Sequence, residues 1–105
     1  MTPHDYKIAR ELKKRLAETV ELIDFKVYGS RARGYVDQFS DLDVFIEVAS
    51  LDKKTKDLIS DIAWEVGLEN MIVISPLVFT LDEIENSPLR ASPILLNINE
   101  EGIRV

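Results

Sequence analysis

The sequence has 105 residues, of which 46% are apolar and 30% charged, with 13 Lys and Arg against 19 Asp and Glu. This length predicts a single domain over residues 1–105, and the net charge of −6 disfavours DNA or RNA as the main partner. The absence of cysteine excludes disulfides and thiolate chemistry, and no signal peptide or membrane-spanning run is evident, so we expect a cytoplasmic protein without a membrane partner.

The first predicted element is an amphipathic helix. Thr2 is a typical N-cap, and Pro3 suits the first helical position. Apolar residues then recur every four positions, which predicts a helix that packs on a sheet: Ile8, Leu12, Leu16 and Val20. His4, the only histidine, is interpreted as a surface residue rather than a catalytic base.

A short strand and a sharp turn follow. The alternation from Phe25 to Tyr28 predicts the strand, which Gly29 ends because glycine tolerates the backbone angles of a tight turn. Ser30 can cap the one-turn helix that comes next, where unpaired N–H groups suit phosphate oxygens. Taken alone, however, a Gly-Ser pair is more often an ordinary turn.

The second strand is predicted from Leu42 to Val48, after a loop. Its alternation separates a core face from a polar face, and the core face consists of Leu42, Val44, Ile46 and Val48. Asp41 and Asp43 project from the other face about 6.6 Å apart, near enough to converge on a hard cation. Asp-x-Asp alone favours a solvated strand end. The Gly-Ser pair, separated from Asp41 by ten residues, reverses that preference.

A second helix is predicted from about Lys53 to Val66. Ser50 or Asp52 can cap its start, and Gly67 is the expected end. Trp64 lies off the apolar stripe of this helix. It either packs at the helix edge, which we favour, or contacts another chain.

The C-terminal part predicts one more strand and two helices. The strand consists of Met71 to Ile74 and Leu77 to Phe79 and is interrupted by Pro76, which indicates a sheet edge or a bulge. A short helical turn over Leu81–Glu85 follows, and Ser92-Pro93 starts a last helix that ends near Gly102. The large apolar residues of that helix, between positions 94 and 98, indicate either internal burial or a protein interface, and both alternatives stay open.

The arrangement G-S-x10-D-x-D, set in a strand–turn–helix–strand context, resembles the signature of the minimal nucleotidyltransferase family, within the DNA polymerase β-like superfamily. The resemblance implies an α/β (α+β) fold, with a small mixed β-sheet and helices packed on one face. It also implies a Mg²⁺-dependent enzyme that uses two ions to transfer AMP from ATP. The resemblance further implies that Asp41 and Asp43 are the metal ligands. It implies that the nucleotide-binding residues are Gly29, Ser30, Arg31, Arg33 and Ser40.

Families with this signature carry a third carboxylate on a later strand, where it helps to deprotonate the acceptor. The corresponding segment here, Met71 to Ser75, contains no acid. Glu69, just before it, is the nearest substitute and is the candidate third catalytic residue. Glu47 shares a face with the acid pair but lies about 13 Å along the strand from Asp43, too far to share a metal.

The resemblance also implies a partner protein. Stand-alone members of the family are commonly paired with a HEPN-domain toxin, and can act as antitoxin by adding AMP to a tyrosine near the toxin's ribonuclease site. We therefore expect a hetero-oligomer. The alternative is a catalytically weak module of the same fold that neutralises its partner by binding. The sequence leaves open the nucleotide base, the acceptor and the stoichiometry.

Overall fold

The computed structural model describes residues 1–35 and 39–105. Residues 36–38, part of the loop predicted before the second strand, lie outside the described residues. The elements, in chain order, are α1 (Pro3–Thr19), β1 (Leu22–Tyr28), α2 (Gly29–Ala32), β2 (Leu42–Val48), α3 (Lys53–Glu69), β3 (Ile74–Thr80), α4 (Leu81–Asn86), a 3-10 turn (Pro88–Ala91), α5 (Pro93–Glu101) and β4 (Ile103–Arg104).

The strands form a mixed four-stranded sheet in the order β3-β2-β1-β4. β1 runs antiparallel to both β2 and β4, whereas β2 and β3 are parallel. The predicted fold class is therefore confirmed, and Pro76 lies on a strand at the edge of this sheet. β4 was not predicted, because a two-residue strand carries no periodic signal.

The main core lies between the sheet and the helices α1 and α3. Thr2 caps α1 by accepting a hydrogen bond from the backbone of Asp5, and the predicted apolar stripe of α1 faces the sheet. The core residues supplied by β2 are the four that alternation predicts, all at most 1% exposed: Leu42, Val44, Ile46 and Val48. Burial of each such side chain contributes roughly 1.5–3 kcal/mol, which fixes the register of β2 and hence the face on which its acids lie.

The helices are not confined to one face of the sheet, which corrects that part of the fold prediction. Phe45 and Phe79 point away from the main core and pack with Leu95 and Ile98 of α5 in a second apolar cluster. The two phenylalanine rings have centroids 6.1 Å apart. Alternation along β2 places Phe45 opposite the main core, so this face needs a cover of its own. Helix α5 thus buries one stripe in the domain, while Ile94 and Leu96 remain exposed.

Three element boundaries differ from the prediction by three residues each. β1 begins at Leu22, α3 continues through Gly67 to Glu69, and β3 begins at Ile74 rather than Met71. Gly67 is buried inside the helix, where a Cβ would lie 2.6 Å from the carbonyl oxygen of Ile72. The glycine is therefore needed for the close approach of the chain entering β3, not as a helix stop.

Trp64 is 70% exposed, so the prediction that it packs at the edge of α3 is wrong.

No helix within residues 1–35 and 39–105 is both long and apolar enough to span a bilayer.

Candidate active site

The Gly-Ser turn lies directly beside the acid pair. β1 ends at Tyr28, which is paired with Asp43 of β2, and the chain turns at Gly29 with φ +78°. A Cβ at Gly29 would overlap Oδ2 of Asp43. Both the positive φ and this close approach require glycine. The sheet therefore joins the two halves of the motif in one site, as the spacing predicted.

Ser30 does not cap the helix after the turn. Helix α2 begins at Gly29 and its N-cap is Tyr28, and among the described residues no side-chain hydrogen bond caps it. Ser30 lies inside this single helical turn, so the predicted capping role was wrong. The Ser30 hydroxyl therefore does not serve as the N-terminal cap of α2.

Asp41 and Asp43 form the acidic half of the site. Asp43 lies half-buried on the polar face of β2, and Asp41 is exposed one residue before the strand. Burial raises the pKa of Asp43, as does the negative charge of Asp41, whereas the charge of Arg33 acts in the opposite direction. The hydroxyl of Ser75 donates to Oδ2 of Asp41 over 2.8 Å. The two carboxylates are thus close enough for their charges to interact.

Arg31 is used inside the protein. Its Nη1 donates to Oδ1 of Asp5 over 2.8 Å, and its Nε donates to the carbonyl oxygen of Ser40 over 2.9 Å. The side chains of Arg31 and Asp5 are only 13% and 4% exposed. The buried pair ties α2 to the start of α1 and to the residue before Asp41. This geometry gives Arg31 a structural role, and the expected contact with the nucleotide stays a prediction.

Arg33 is the arginine of the turn that remains exposed. Its Nη1 lies 3.4 Å from Oε2 of Glu101, and both side chains are 42% exposed. Such a surface pair is weak and readily exchanged for another anion. The charge of Arg33 also acts on Asp43, so this exposed guanidinium lies within electrostatic range of the acid pair.

The sequence profile of the nucleotidyltransferase domain matches residues 7–99, which include the turn and both aspartates. The chain belongs to the nucleotidyltransferase domain family. A comparison with curated proteins gives no match.

Two solved structures share the fold of this nucleotidyltransferase domain. The first is a crystal structure of a toxin–antitoxin with AMP-PNP, with a TM-score of 0.64 and 17% identity over 91% of this chain and 70% of that chain. The second is a mutant of the toxin–antitoxin MntA–HpeT, with a TM-score of 0.59 and 16% identity over 95% of this chain and 70% of that chain. At such low identity the likeness concerns the fold alone.

The nucleotidyltransferase domain does not bring Glu69 to the acid pair. Two nitrogens of Arg15 contact the Glu69 carboxylate, with Nη2 2.7 Å from Oε2 and Nη1 3.2 Å from Oε1. These hydrogen bonds hold the pKa of Glu69 below its ordinary value. Glu69 ends α3, on the core side of the sheet, whereas Asp43 lies on the opposite face. Within the described ranges, no three acids or histidines cluster closely enough to hold a metal.

Glu47 belongs to a different environment, at the far end of β2. It is only 8% exposed and is paired across the sheet with Asp24. Burial, together with the charges of Asp24 and Glu85, raises the pKa of Glu47, and Lys26 offsets part of this. Glu47 is therefore separate from the acid pair, as its spacing predicted.

Sequence reasoning missed two residues that support the site, Asp5 and Ser75. Asp5 is recognisable in the sequence only as a capping-box residue three positions after Thr2, and its side chain does cap α1. Its second contact, with Arg31, joins residues 26 positions apart and has no local signal. The position of Ser75 depends on the parallel register between β2 and β3, which the sequence does not specify.

Proposed function

We propose that this nucleotidyltransferase domain transfers AMP from ATP to a hydroxyl group of a partner protein, a tyrosine of a HEPN-type toxin, and so acts as its antitoxin. The observation that carries the proposal is the close approach of Gly29 to Asp43, which joins a phosphate-binding turn to an acid pair. Family membership supports the transfer chemistry. The fold-level likeness to toxin–antitoxin structures, one of them with AMP-PNP, supports the partner class and the nucleotide. We further propose a single domain over residues 1–105 that works in the cytoplasm as part of a hetero-oligomer.

The acid pair fits a magnesium site. Asp41 and Asp43 offer hard oxygen ligands, and in the described part of the chain neither carboxylate has a salt-bridge partner. Their mutual repulsion contributes to the raised pKa of Asp43, so a cation at this point would relieve an unfavourable interaction. Bound Mg²⁺, one ion or the two that the family uses, would neutralise the triphosphate and favour the deprotonated acceptor hydroxyl.

The turn supplies the remaining contacts to ATP. Gly29 and Ser30 present backbone N–H groups and a hydroxyl to the phosphates, and Arg33 offsets the charge that develops on the leaving pyrophosphate. Ser40 stays in the proposed nucleotide set because its known contact with Arg31 uses only the carbonyl oxygen. Arg31 and Glu69 are left out, since each already has a charged partner elsewhere.

In the proposed reaction the acceptor oxygen attacks the α-phosphorus of ATP and loses its proton to water. The bond between the α-phosphorus and the bridging oxygen breaks, and pyrophosphate leaves. The protein contributes by holding both reactants in line and by stabilising the charge on the leaving group. No covalent intermediate with the protein is required.

The test compares wild type with Asp43→Asn in the presence of ATP, Mg²⁺ and the partner toxin. We expect modification of the toxin by one AMP, measured by intact mass, to be at least about 100-fold slower with the variant, equivalent to about 2.7 kcal/mol of transition-state stabilisation. Asp57→Asn removes the same charge from an exposed position of α3 and is the matched control. Equal modification by wild type and Asp43→Asn would contradict the assigned role of the acid pair.

The second candidate function is neutralisation by binding alone. It is favoured by the lack of a third acid near Asp41 and Asp43 among the described residues. In that case wild type would bind the toxin tightly in a titration, yet the toxin would keep its unmodified mass with ATP and Mg²⁺ present. Toxin inhibition that needs no ATP, and that Asp43→Asn retains, would establish this alternative.

A further inference from the structure

Ser75 lies on β3 at the level of the acid pair. In the parallel register of β2 and β3, Ser75 is the direct partner of Asp43. Side chains at paired positions of adjacent strands project from the same face of the sheet, so Ser75 shares the polar face of the two aspartates. Its hydroxyl donates to Oδ2 of Asp41 over 2.8 Å. A residue of the edge strand therefore contacts the proposed metal site directly.

Asp41 needs such a contact because the strand does not hold it. β2 begins at Leu42, whose N–H donates to the carbonyl oxygen of Val73 over 2.9 Å, and Asp41 itself is exposed and outside the strand. A free carboxylate samples several rotamers, and this freedom is lost when it binds a cation. A hydrogen bond from a hydroxyl to a charged carboxylate is stronger than one between neutral groups, so it favours one rotamer of Asp41 before the cation binds.

The backbone around Ser75 is well suited to this role. Pro76 follows it in the strand, and a residue before proline is restricted to extended conformations. The proline ring also fixes its own φ. Because β3 is an edge strand, the N–H that proline lacks is not needed for strand pairing on its outer side. Ser75 is thus an unusually constrained donor within the edge strand.

We infer that Ser75 is a positioning residue, which holds the carboxylate of Asp41 in the orientation that binds a divalent cation with the nucleoside triphosphate. The inference rests on the proposed function, since it concerns the same site. A serine at this point orients the acid pair without adding a third negative charge. The site is then built from two carboxylates and one hydroxyl on two adjacent strands.

The test measures binding of the Mn²⁺ complex of AMP-PNP by electron paramagnetic resonance, without partner protein or turnover. Loss of a hydrogen bond to a charged group predicts that Ser75→Ala weakens binding roughly 10-fold. Ser75→Thr keeps a hydroxyl and suits a strand, so we expect it to bind within about twofold of wild type. Ser60→Ala, on the exposed surface of α3, is the control and should bind like wild type.

The outcomes separate this inference from the proposed function. If wild type binds the complex and Ser75→Ala binds it equally well, the positioning role is refuted while the acid pair stands. Equal weakening in the Ala and Thr variants, with folding intact by circular dichroism, would also refute the role of the hydroxyl. If wild type does not bind the complex, the proposed function and this inference both fail.

Discussion

The two arginines of the turn should respond to the same substitution in opposite ways. Arg31 forms a buried ion pair with Asp5, with side chains 13% and 4% exposed, whereas the side chain of Arg33 is 42% exposed. Methionine keeps most of the apolar stem of arginine but removes the guanidinium. Arg31→Met therefore tests fold stability, and Arg33→Met tests the proposed contact with pyrophosphate.

The size of the stability effect follows from the contacts of Asp5. Removal of one partner of a buried ion pair costs about 3–5 kcal/mol, because the other charge is left without compensation. Asp5 retains one hydrogen bond from the backbone N–H of Thr2, at 3.3 Å, so we expect the lower end, about 3 kcal/mol. For a chain of this size, this corresponds to a Tm lower by roughly 12–24 °C.

Arg33→Met should lose less than about 1 kcal/mol, since its only described ion pair, with Glu101, is on the surface. AMP transfer by this variant should nevertheless fall at least about 10-fold, as expected for an arginine that stabilises a leaving phosphate. Thermal melts followed by circular dichroism and mass analysis of the toxin measure the two effects. The reasoning is refuted if Arg31→Met melts like wild type, or if Arg33→Met is the less stable variant.

Two further predictions concern the turn and the far end of β2. Gly29→Ala and Gly34→Ala both place alanine at positive φ, so each should lower the free energy of unfolding by about 1–2 kcal/mol, measured in thermal melts. Only at Gly29 would the new Cβ meet Asp43. We therefore expect Gly29→Ala, but not Gly34→Ala, to abolish binding of AMP-PNP. Equal binding by the two variants would contradict the close contact. The pKa of Glu47 is raised above its ordinary value of 4.5, so ionisation of Glu47 destabilises the folded state. This destabilisation is absent at low pH and develops as the pH rises past 4.5. Glu47→Gln should therefore melt above wild type at about pH 7 and approach it near pH 4; a variant that melts below wild type at pH 7 would show that the charge is stabilising.

The strength of the local signal decided which features the sequence predicted. β2 alternates between apolar and polar positions except at Phe45, which is apolar but lies on the face of the acids, so its core face and the side of its acids were predicted correctly. The buried ion pair of Arg31 was not predicted, because a basic residue next to a Gly-Ser turn looks the same in the sequence whether it contacts a ligand or a buried acid. Its partner, Asp5, is distant in sequence. Glu69 was proposed as a third acid by proximity along the chain, but α3 continues past Gly67 and carries it to the other side of the sheet.

The contacts that hold the site together are distinct from the groups proposed to do the chemistry. Asp5 and Arg31 fix the turn and the backbone of Ser40 from one side, and the parallel register with β3 fixes the start of β2 from the other. Neither set of contacts uses the carboxylate of Asp43, whose burial and repulsion from Asp41 are unfavourable to the folded state without a cation. Loss of the acid pair should therefore remove catalysis and leave the fold intact. The proposed AMP transfer can therefore be lost while the fold is kept, which is why modification and binding of the proposed toxin partner have to be measured separately.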